Sequence, residues 1–536
     1  MTARQEMLRI LDTPDCGPST TWTTGNVAEA FPGVFTTFGL TFCFDPMEMA
    51  FRRMFHDLGV YPRSELHVPD EVEDCFWTVF SGWGAGNIDK FREIADVMPG
   101  TSASAVEQQL FGYVRPETVD HNRRNRYPAV LAKAPRWVLG VPKRHDAMFA
   151  ELRGWRLQQL ARVPGLDAAG CLAVLADARQ RFEDVMSIHM GVAMISSSIA
   201  EKVADAAADA GLPGLEAQLL SGVGSDENEV AHDLWALAHD LITLQEFSDR
   251  HGYHGPNEGQ LSGTTWREDP APVLARLADY RAIPADSPRA PRQRSAAQER
   301  VRADAMARLL AATPRLERRS TALLVRIAAR FLALREQGKA GYLLTYDVAR
   351  AAARRLGDLL VTDGVIEGRE DVFHLAYDDL TAGIGSDQRA LVAERAAVHA
   401  ERQQLRLPQA WSGNPEVTKV GEAAGDGLTV GDQVTGVAAS GGVVEGRARV
   451  VRDPATTELD DGDILVCETT DPSWVSLFLV AGGVVTDHGG LLSHGPIVAR
   501  ELGIPCVCGT VDGSQRIRDG QKIRVDGDRG TVELVG

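Results

Sequence analysis

Val484-Val-Thr-Asp-His-Gly-Gly-Leu-Leu-Ser-His494-Gly-Pro-Ile-Val-Ala-Arg-Glu-Leu-Gly-Ile-Pro505 decides how this 536-residue chain is read. Val484 to Thr486 is a short β-branched run of the kind that fills a pleated strand. Gly489 and Gly490 follow as a turn whose missing Cβ atoms let the backbone approach another group closely. Ser493 suits a helix N-cap and Pro496 the first helical turn. Ile497, Val498 and Leu502 supply an apolar face, Gly503 ends the helix, and Pro505 prevents its continuation. His494 thereby falls at a helix N-terminus, where free N–H groups and the helix dipole favour an anion. A neutral imidazole is nucleophilic near pH 7, and a dianion formed on it is met by those donors. The pattern therefore suits a histidine that carries a phosphoryl group.

Outward from this stretch the period becomes strand-like, in short β runs bounded by Gly and Asp: Val443–Val451 around Gly446, Ile464–Val466, Val484–Thr486 and Ile523–Val525. They predict a compact α/β unit over 436–536, near the common domain size. Composition changes near Pro408, and the small and polar residues from Trp411 through Gly421, Gly425 and Gly427 predict a mobile linker over 408–435. Before it, residues 21–407 read as a mainly α-helical body. Leu172, Leu175, Phe182, Val185, Met186 and Met190 repeat at three- and four-residue steps. A Pro/Arg-rich loop is expected over 285–295, and residues 1–20 read as a loose leader. Seven of the 17 phenylalanines fall within residues 31–55, which marks an aromatic region at the start of the body.

The formal charge of −18, from 56 basic and 74 acidic residues, argues against nucleic acid as the main partner. No apolar run reaches the ~18–20 residues of a membrane span, and no signal-peptide core follows Met1. The seven cysteines show no CxxC and no framework spacing, so neither structural zinc nor disulfides are expected. His232 and His239 share a helix face without a third ligand nearby, and no metal site is read from them. A cytoplasmic protein is expected.

The run Thr486-x-x-Gly-Gly-x-x-Ser-His494-x-x-Ile-Val-Ala-Arg-Glu-Leu-Gly-Ile-Pro resembles the swivelling phosphohistidine domain of the phosphoenolpyruvate synthase, pyruvate phosphate dikinase and rifampin phosphotransferase group. Ser440-Gly-Gly-Val-Val-Glu-Gly-Arg-Ala-Arg-Val and Asp463-Ile-Leu-Val-Cys-Glu-Thr-Thr-Asp-Pro-Ser-Trp extend the likeness to about 100 residues, a normal domain size. Upstream, Asn26-Val-Ala-Glu-Ala-Phe-Pro-Gly-Val-Phe-Thr, Tyr253-His-Gly-Pro-Asn-Glu258, Trp266-Arg-Glu-Asp-Pro270 and Glu370-Asp-Val-Phe-His-Leu375 resemble landmarks of the rifampin-type substrate domain. The resemblance implies a multidomain fold, with a helical acceptor-binding body followed by a swivelling β/β/α domain. It implies His494 as phosphoryl carrier, with Thr486, Gly489, Gly490 and Ser493 as its loop, and a small-molecule hydroxyl as acceptor. The threonine that serves regulation in plant-type dikinases is Leu492 here, so that control is not expected.

Asn26 lies close to the start of the sequence, so the group's ATP-grasp domain is not expected on this chain, and no Walker-type motif is read in its place. The arrangement resembles the larger subunit of split dikinases of the phenylphosphate synthase and 4-methylbenzyl phosphate synthase kind. That likeness implies a hetero-oligomer in which a separate ATP-grasp subunit holds ATP and Mg²⁺ or Mn²⁺, with no cofactor tight on this chain.

Arg335 and Lys339 are the next candidates. Eleven residues separate Leu324 from Arg335, about 1100° of helical rotation, which turns Arg335 toward the apolar side shared by Ile327, Ala328 and Phe331. Lys339 lies one turn on. Cations on an apolar face call for an anion, either a transferring phosphoryl group or a buried carboxylate. Leu334-Arg-Glu-Gln-Gly-Lys339 resembles the rifampin-type Arg-Glu-x-x-Lys segment, which lies beside the transferring phosphate. His254 and Glu258 are candidates to take the hydroxyl proton or hold the acceptor, or else they bond the loop backbone. Phe35 and Phe38 are candidates to line an aromatic-accepting pocket, with core packing as the alternative. Two other classes stay open: a non-catalytic phosphocarrier, and an enzyme that phosphorylates an alcohol to eliminate it.

Overall fold

The computed structural model describes residues 3–98, 101–104, 106–107, 114–115, 118–121, 123–220, 223, 226–287, 290–383, 385, 387–419, 428–452, 457, 459–470, 474–478, 480–489 and 494–535. They form a multidomain protein with a helical body and a sheet-containing C-terminal domain. Contacts divide the chain into two units, one of residues 1–190, 257–263 and 341–423, the other of 191–256, 264–340 and 424–536. No helix among the described residues is long and apolar enough to cross a membrane.

In the first unit, strands β1 (Thr21–Thr23), β2 (Trp77–Phe80) and β3 (Trp83–Asn87) join a sheet whose far edge comes from much later in the chain. After β4 (Leu405–Arg406), strand β5 (Ala410–Ser412) pairs antiparallel with β1, Trp22 opposite Trp411; β6 (Thr418–Lys419) then pairs back onto β4. The expected 408–435 linker is therefore strand-paired at its start. Its end contributes β7 (Gln433–Thr435) to the C-terminal sheet, and residues 420–427 lie outside those described. The leader differs from expectation as well. Ala3–Ile10 is a helix, and Arg9 pairs with Asp379 at 2.5 Å, because Leu8 and Leu11 bury an apolar side that the charged residues around them mask in the sequence.

The aromatic region forms a core. Thr36 caps the Thr37–Asp57 helix by accepting from the Gly39 N–H at 3.2 Å, and Phe38, Phe42 and Phe44 enter the interior from it. Phe44 stacks on Trp77 at 5.0 Å and Phe42 meets Tyr377 edge-on at 5.6 Å. Buried ion pairs lie inside this unit. Glu48 and Arg52 meet at 2.7 Å, and Arg156 donates from Nε to Asp347 Oδ2 at 2.7 Å with both side chains almost fully buried. Asp347→Ala leaves that guanidinium buried beside an empty position. The expected loss is about 3–5 kcal/mol, read as a fall in the thermal midpoint of the full chain.

Two half-buried histidines are expected to give this unit a pH response. The rings of His374 and His399 lie 5.7 Å apart, and burial holds both below the ordinary imidazole range; for His374 the neighbouring His399 and Arg395 add to the effect against Asp371. Well above pH ~6.5 both rings are neutral in the folded and the unfolded chain, and titration costs nothing. As pH falls below that value, the unfolded chain takes up protons that the fold refuses, so stability drops. The thermal midpoint is expected to decline as pH falls through about 6.5, and His399→Gln should flatten that decline.

The second unit contains two helical clusters. Val203, Ala207 and Leu215 pack with Ala305, Leu309 and Val325, while Val230, Leu234 and Phe247 pack with Trp266 and Tyr280. Pro291 opens the helix Pro291–Ala312, so the expected 285–295 loop ends earlier, as a proline at the first helical position permits. The C-terminal domain is built on β8 (Val437–Ser440), β9 (Val443–Val450), β10 (Ile464–Cys467), β11 (Gly483–Thr486), β12 (Cys506–Cys508), β13 (Lys522–Asp526) and β14 (Thr531–Leu534) together with β7. Among the described residues they form one eight-stranded sheet in the order β7-β14-β13-β9-β10-β11-β12-β8. Strands β9 to β12 run parallel, and the others attach antiparallel. Alternate residues of β10 enter different cores: Leu465 and Cys467 join Phe478, Val498 and Cys506, whereas Ile464 and Val466 join Val485, Val507 and Ile523. Strands β10, β11 and β12 are buried on both faces, which explains their continuous apolar runs.

Candidate functional site

The carboxyl ends of parallel strands are where open α/β sheets build their sites. Here β10 ends at Cys467, β11 at Thr486 and β12 at Cys508, and backbone bonds continue beyond the strands. The Asp487 N–H donates to the Cys467 carbonyl at 3.1 Å, His488 to Glu468 at 2.9 Å, and Thr510 to Thr486 at 3.1 Å. These bonds hold the start of the glycine turn on the sheet. Thr486 is buried, and its hydroxyl donates to the His488 carbonyl at 2.9 Å, closing a tight turn before Gly489. Gly489 has φ +112°, in the region that a side chain resists, so the glycine there is a backbone requirement.

His494 opens the nine-residue helix His494–Leu502, which Gly503 at φ +70° terminates. Gly490 and Ser493 lie outside the described residues. Gly495 shows how near that helix start comes to the strand ends: a Cβ there would stand 3.0 Å from Thr470 Oγ1 and 3.4 Å from Thr486 Cγ2. Gly495→Val must push the helix away from the strands. The expected result is a loss of about 1–3 kcal/mol for this domain, seen as faster amide exchange over residues 494–502, together with slower modification of His494.

Asp487 was not singled out from sequence, and it organises the turn. Its carboxylate is buried and accepts from Thr510 Oγ1 at 2.8 Å, from the Ser514 N–H at 2.9 Å, and from the Ser514 hydroxyl. Burial holds this carboxyl above the usual range, and the Ser514 and Thr510 bonds act against that. An acid placed directly after an apolar strand and before a Gly-Gly turn was the available signal. On the solvent side, His488 lies 3.6 Å from Glu468.

The remaining candidates are distributed over both units. Arg335 and Lys339 are half-buried, one turn apart on the helix Arg318–Thr362, beside the fully buried Leu334. His254 is fully buried. Its carbonyl accepts from Trp266 N–H at 2.7 Å, and its ring lies 4.2 Å from Tyr253 and 5.4 Å from Trp266. Glu258 is buried in the first unit, where its carbonyl accepts from Arg350 Nη2 at 3.3 Å. Phe35 and Phe38 belong to the aromatic core of that unit, Phe35 at 6.0 Å from Trp77 and Phe38 at 5.8 Å from Phe42. His232 is half-buried and has its Nε2 3.1 Å from the Ser295 hydroxyl.

Comparison with known proteins agrees with the layout. Residues 459–530 match the mobile domain of PEP-utilising enzymes, a span that includes Thr486 through His494. Residues 240–336 match the fourth domain of rifampicin phosphotransferase, which takes in His254, Glu258 and Arg335 and stops short of Lys339. Rifampicin phosphotransferase of Streptomyces sviceus is 32% identical over 297 residues, covering 54% of this chain and 34% of that one. The Bacillus subtilis rifampicin phosphotransferase is 35% identical over 206 residues, covering 38% and 24%. The chain spans about a third or less of the length of these relatives. Both matched segments are of the phosphohistidine dikinase-like group that the sequence resembles.

Proposed function

We propose that this chain is a phosphotransferase subunit in which His494 takes a phosphoryl group from ATP and passes it to a hydroxyl of an apolar, aromatic small molecule such as a phenol or benzylic alcohol. The observation that carries the reading is His494 at the first position of a helix seated on parallel strand ends, within a segment matching the mobile domain. In the loading step an imidazole nitrogen attacks phosphorus and the bond to the nucleotide oxygen breaks. In delivery the acceptor oxygen attacks, the P–N bond breaks, and the hydroxyl proton passes to a base. Helix N–H groups favour the dianion on His494, and Arg335 and Lys339 offset charge on the group in flight. ATP and Mg²⁺ or Mn²⁺ are held in this reading by a separate ATP-grasp protein, so the C-terminal domain serves two sites in turn.

The test is labelling with radioactive ATP. The chain alone should stay unlabelled. With the ATP-grasp partner, His494 should acquire an acid-labile label that moves to the acceptor as a phosphate ester. Acceptor phosphorylation by the isolated chain would overturn the two-subunit reading, and ester formation without label on His494 would overturn the carrier.

A further inference from the structure

The helix Tyr127–Arg162 buries one side through Val130, Trp137, Val141, His145, Phe149 and Leu152. Its opposite side over the first four turns is apolar and uncovered. Pro128, Ala132, Pro135 and Leu139 are exposed, Leu139 at 83%, and Pro142 is half-buried. Their spacing is four, three, four, three, so they line up as one stripe along the helix. Arg136 and Lys143, seven apart, flank this stripe on one side and are exposed; Leu131, 64% exposed, flanks the other.

Two features separate this face from an ordinary solvated one. Pro135 and Pro142 lie inside the helix, where each removes a backbone donor and leaves the carbonyl four residues earlier, Leu131 and Val138, without its usual partner. The second feature is charge. Seven basic residues and no acidic one lie between His121 and His145, in a chain of net charge −18. Arg126 and Lys133 are occupied by carbonyls of the body, donating to Val60 and His56 at 2.9 and 3.1 Å. Arg144 lies over the Trp137 ring at 5.6 Å. Arg124, Arg136 and Lys143 have no ion pair or side-chain hydrogen bond among the described residues, unlike most arginines of this unit.

We infer that this face is the docking seam for an acidic amphipathic helix of a partner protein, with apolar side chains at heptad spacing and Glu or Asp opposite Arg136 and Lys143. From Pro128 to Pro142 it measures about 21 Å, enough for three turns or more of a partner helix. A second copy of this chain fits poorly, since a two-fold contact would set the same cations against each other. A bilayer fits poorly too, because only Leu131 and Leu139 project as large apolar side chains, where an interfacial helix inserts a whole face. The inference is independent of the phosphoryl chemistry.

The probes are two synthetic 21-residue helical peptides with Leu at the seam positions, one flanked by Glu and one by Lys, and vesicles of phosphatidylglycerol with phosphatidylcholine. The full chain should bind the Glu peptide at least tenfold more tightly than the Lys peptide, and more weakly as salt rises. Leu139→Asp should lose that binding. Arg136→Glu with Lys143→Glu should reverse the preference, so that the Lys peptide now binds better; both variants change exposed positions and should keep the wild-type circular dichroism. Equal binding of the two peptides, or no binding, overturns the inference. So does recruitment to vesicles without peptide binding, or self-association that Leu139→Asp abolishes, since each assigns the face to another occupant.

Discussion

His494→Ala is expected to leave no phosphoryl on the chain and no ester on the acceptor, even with partner, ATP and metal present. In the proposed two-site reading each transfer has its own donor and its own site, so without the carrier no route would lead from nucleotide to acceptor. The effect is therefore complete rather than graded, unlike the loss of a stabilising contact, which leaves a slower reaction. Gly503 and Pro505 fix the far end of the helix and Gly495 its seat on the strands, so the variant should fold. Mass spectrometry at neutral or alkaline pH, where phosphohistidine survives, would follow the label. Undiminished ester formation by the folded variant would remove His494 from the mechanism.

Arg335→Ala and Lys339→Ala should split the two halves of the chemistry. If these cations act only at delivery, the partner should label His494 at near-normal rate, while transfer to acceptor falls about 10²–10³-fold, as when one preorganised charge stabiliser is lost. A single-turnover design separates the steps: load, remove ATP, add acceptor, follow the label. Discharge at the wild-type rate would make both residues structural. Failure to load would assign them to docking instead. Arg335 sits next to Leu334 in a packed helix, so a thermal-melt control must accompany the rates.

How far the sequence could be read depended on local pattern. Strands β10 and β11 were legible as apolar runs with Gly or Asp beside them, β9 and β13 as alternations of apolar or small residues with charged ones, and the helix from His494 carried its own stop signals. Strands β7, β8, β12 and β14 were not singled out. Each is only three or four residues long, and the pairing of β8 with β12 or β7 with β14 is a tertiary fact with no local signature. The small sheet of the first unit was missed for the same reason, and Trp411 read as linker because its neighbours are Ser, Gly and Asn. At the site, Thr486 and Gly489 followed from the turn, while Asp487 did not, since its partners Thr510 and Ser514 come more than 20 residues later. Phe35 and Phe38 show a limit of composition. An aromatic cluster reads alike whether the rings face a ligand or one another; in the structure Phe35 packs beside Trp77 and Phe38 beside Phe42.

The β1–β5 pairing also sets a schedule for synthesis. The Thr23 hydroxyl reaches the Gln409 carbonyl at 2.8 Å across 386 residues of chain, and the same strand lies between β3 and β5. At ~5–20 residues per second, a ribosome takes about 20–80 s to make what lies between. Throughout that interval β1 has one hydrogen-bonding edge without its native neighbour, next to a region dense in phenylalanine and tryptophan. The first unit is thus the part begun first and completed late, and its exposure to chaperones and proteases during translation is dictated by where β5 lies in the gene.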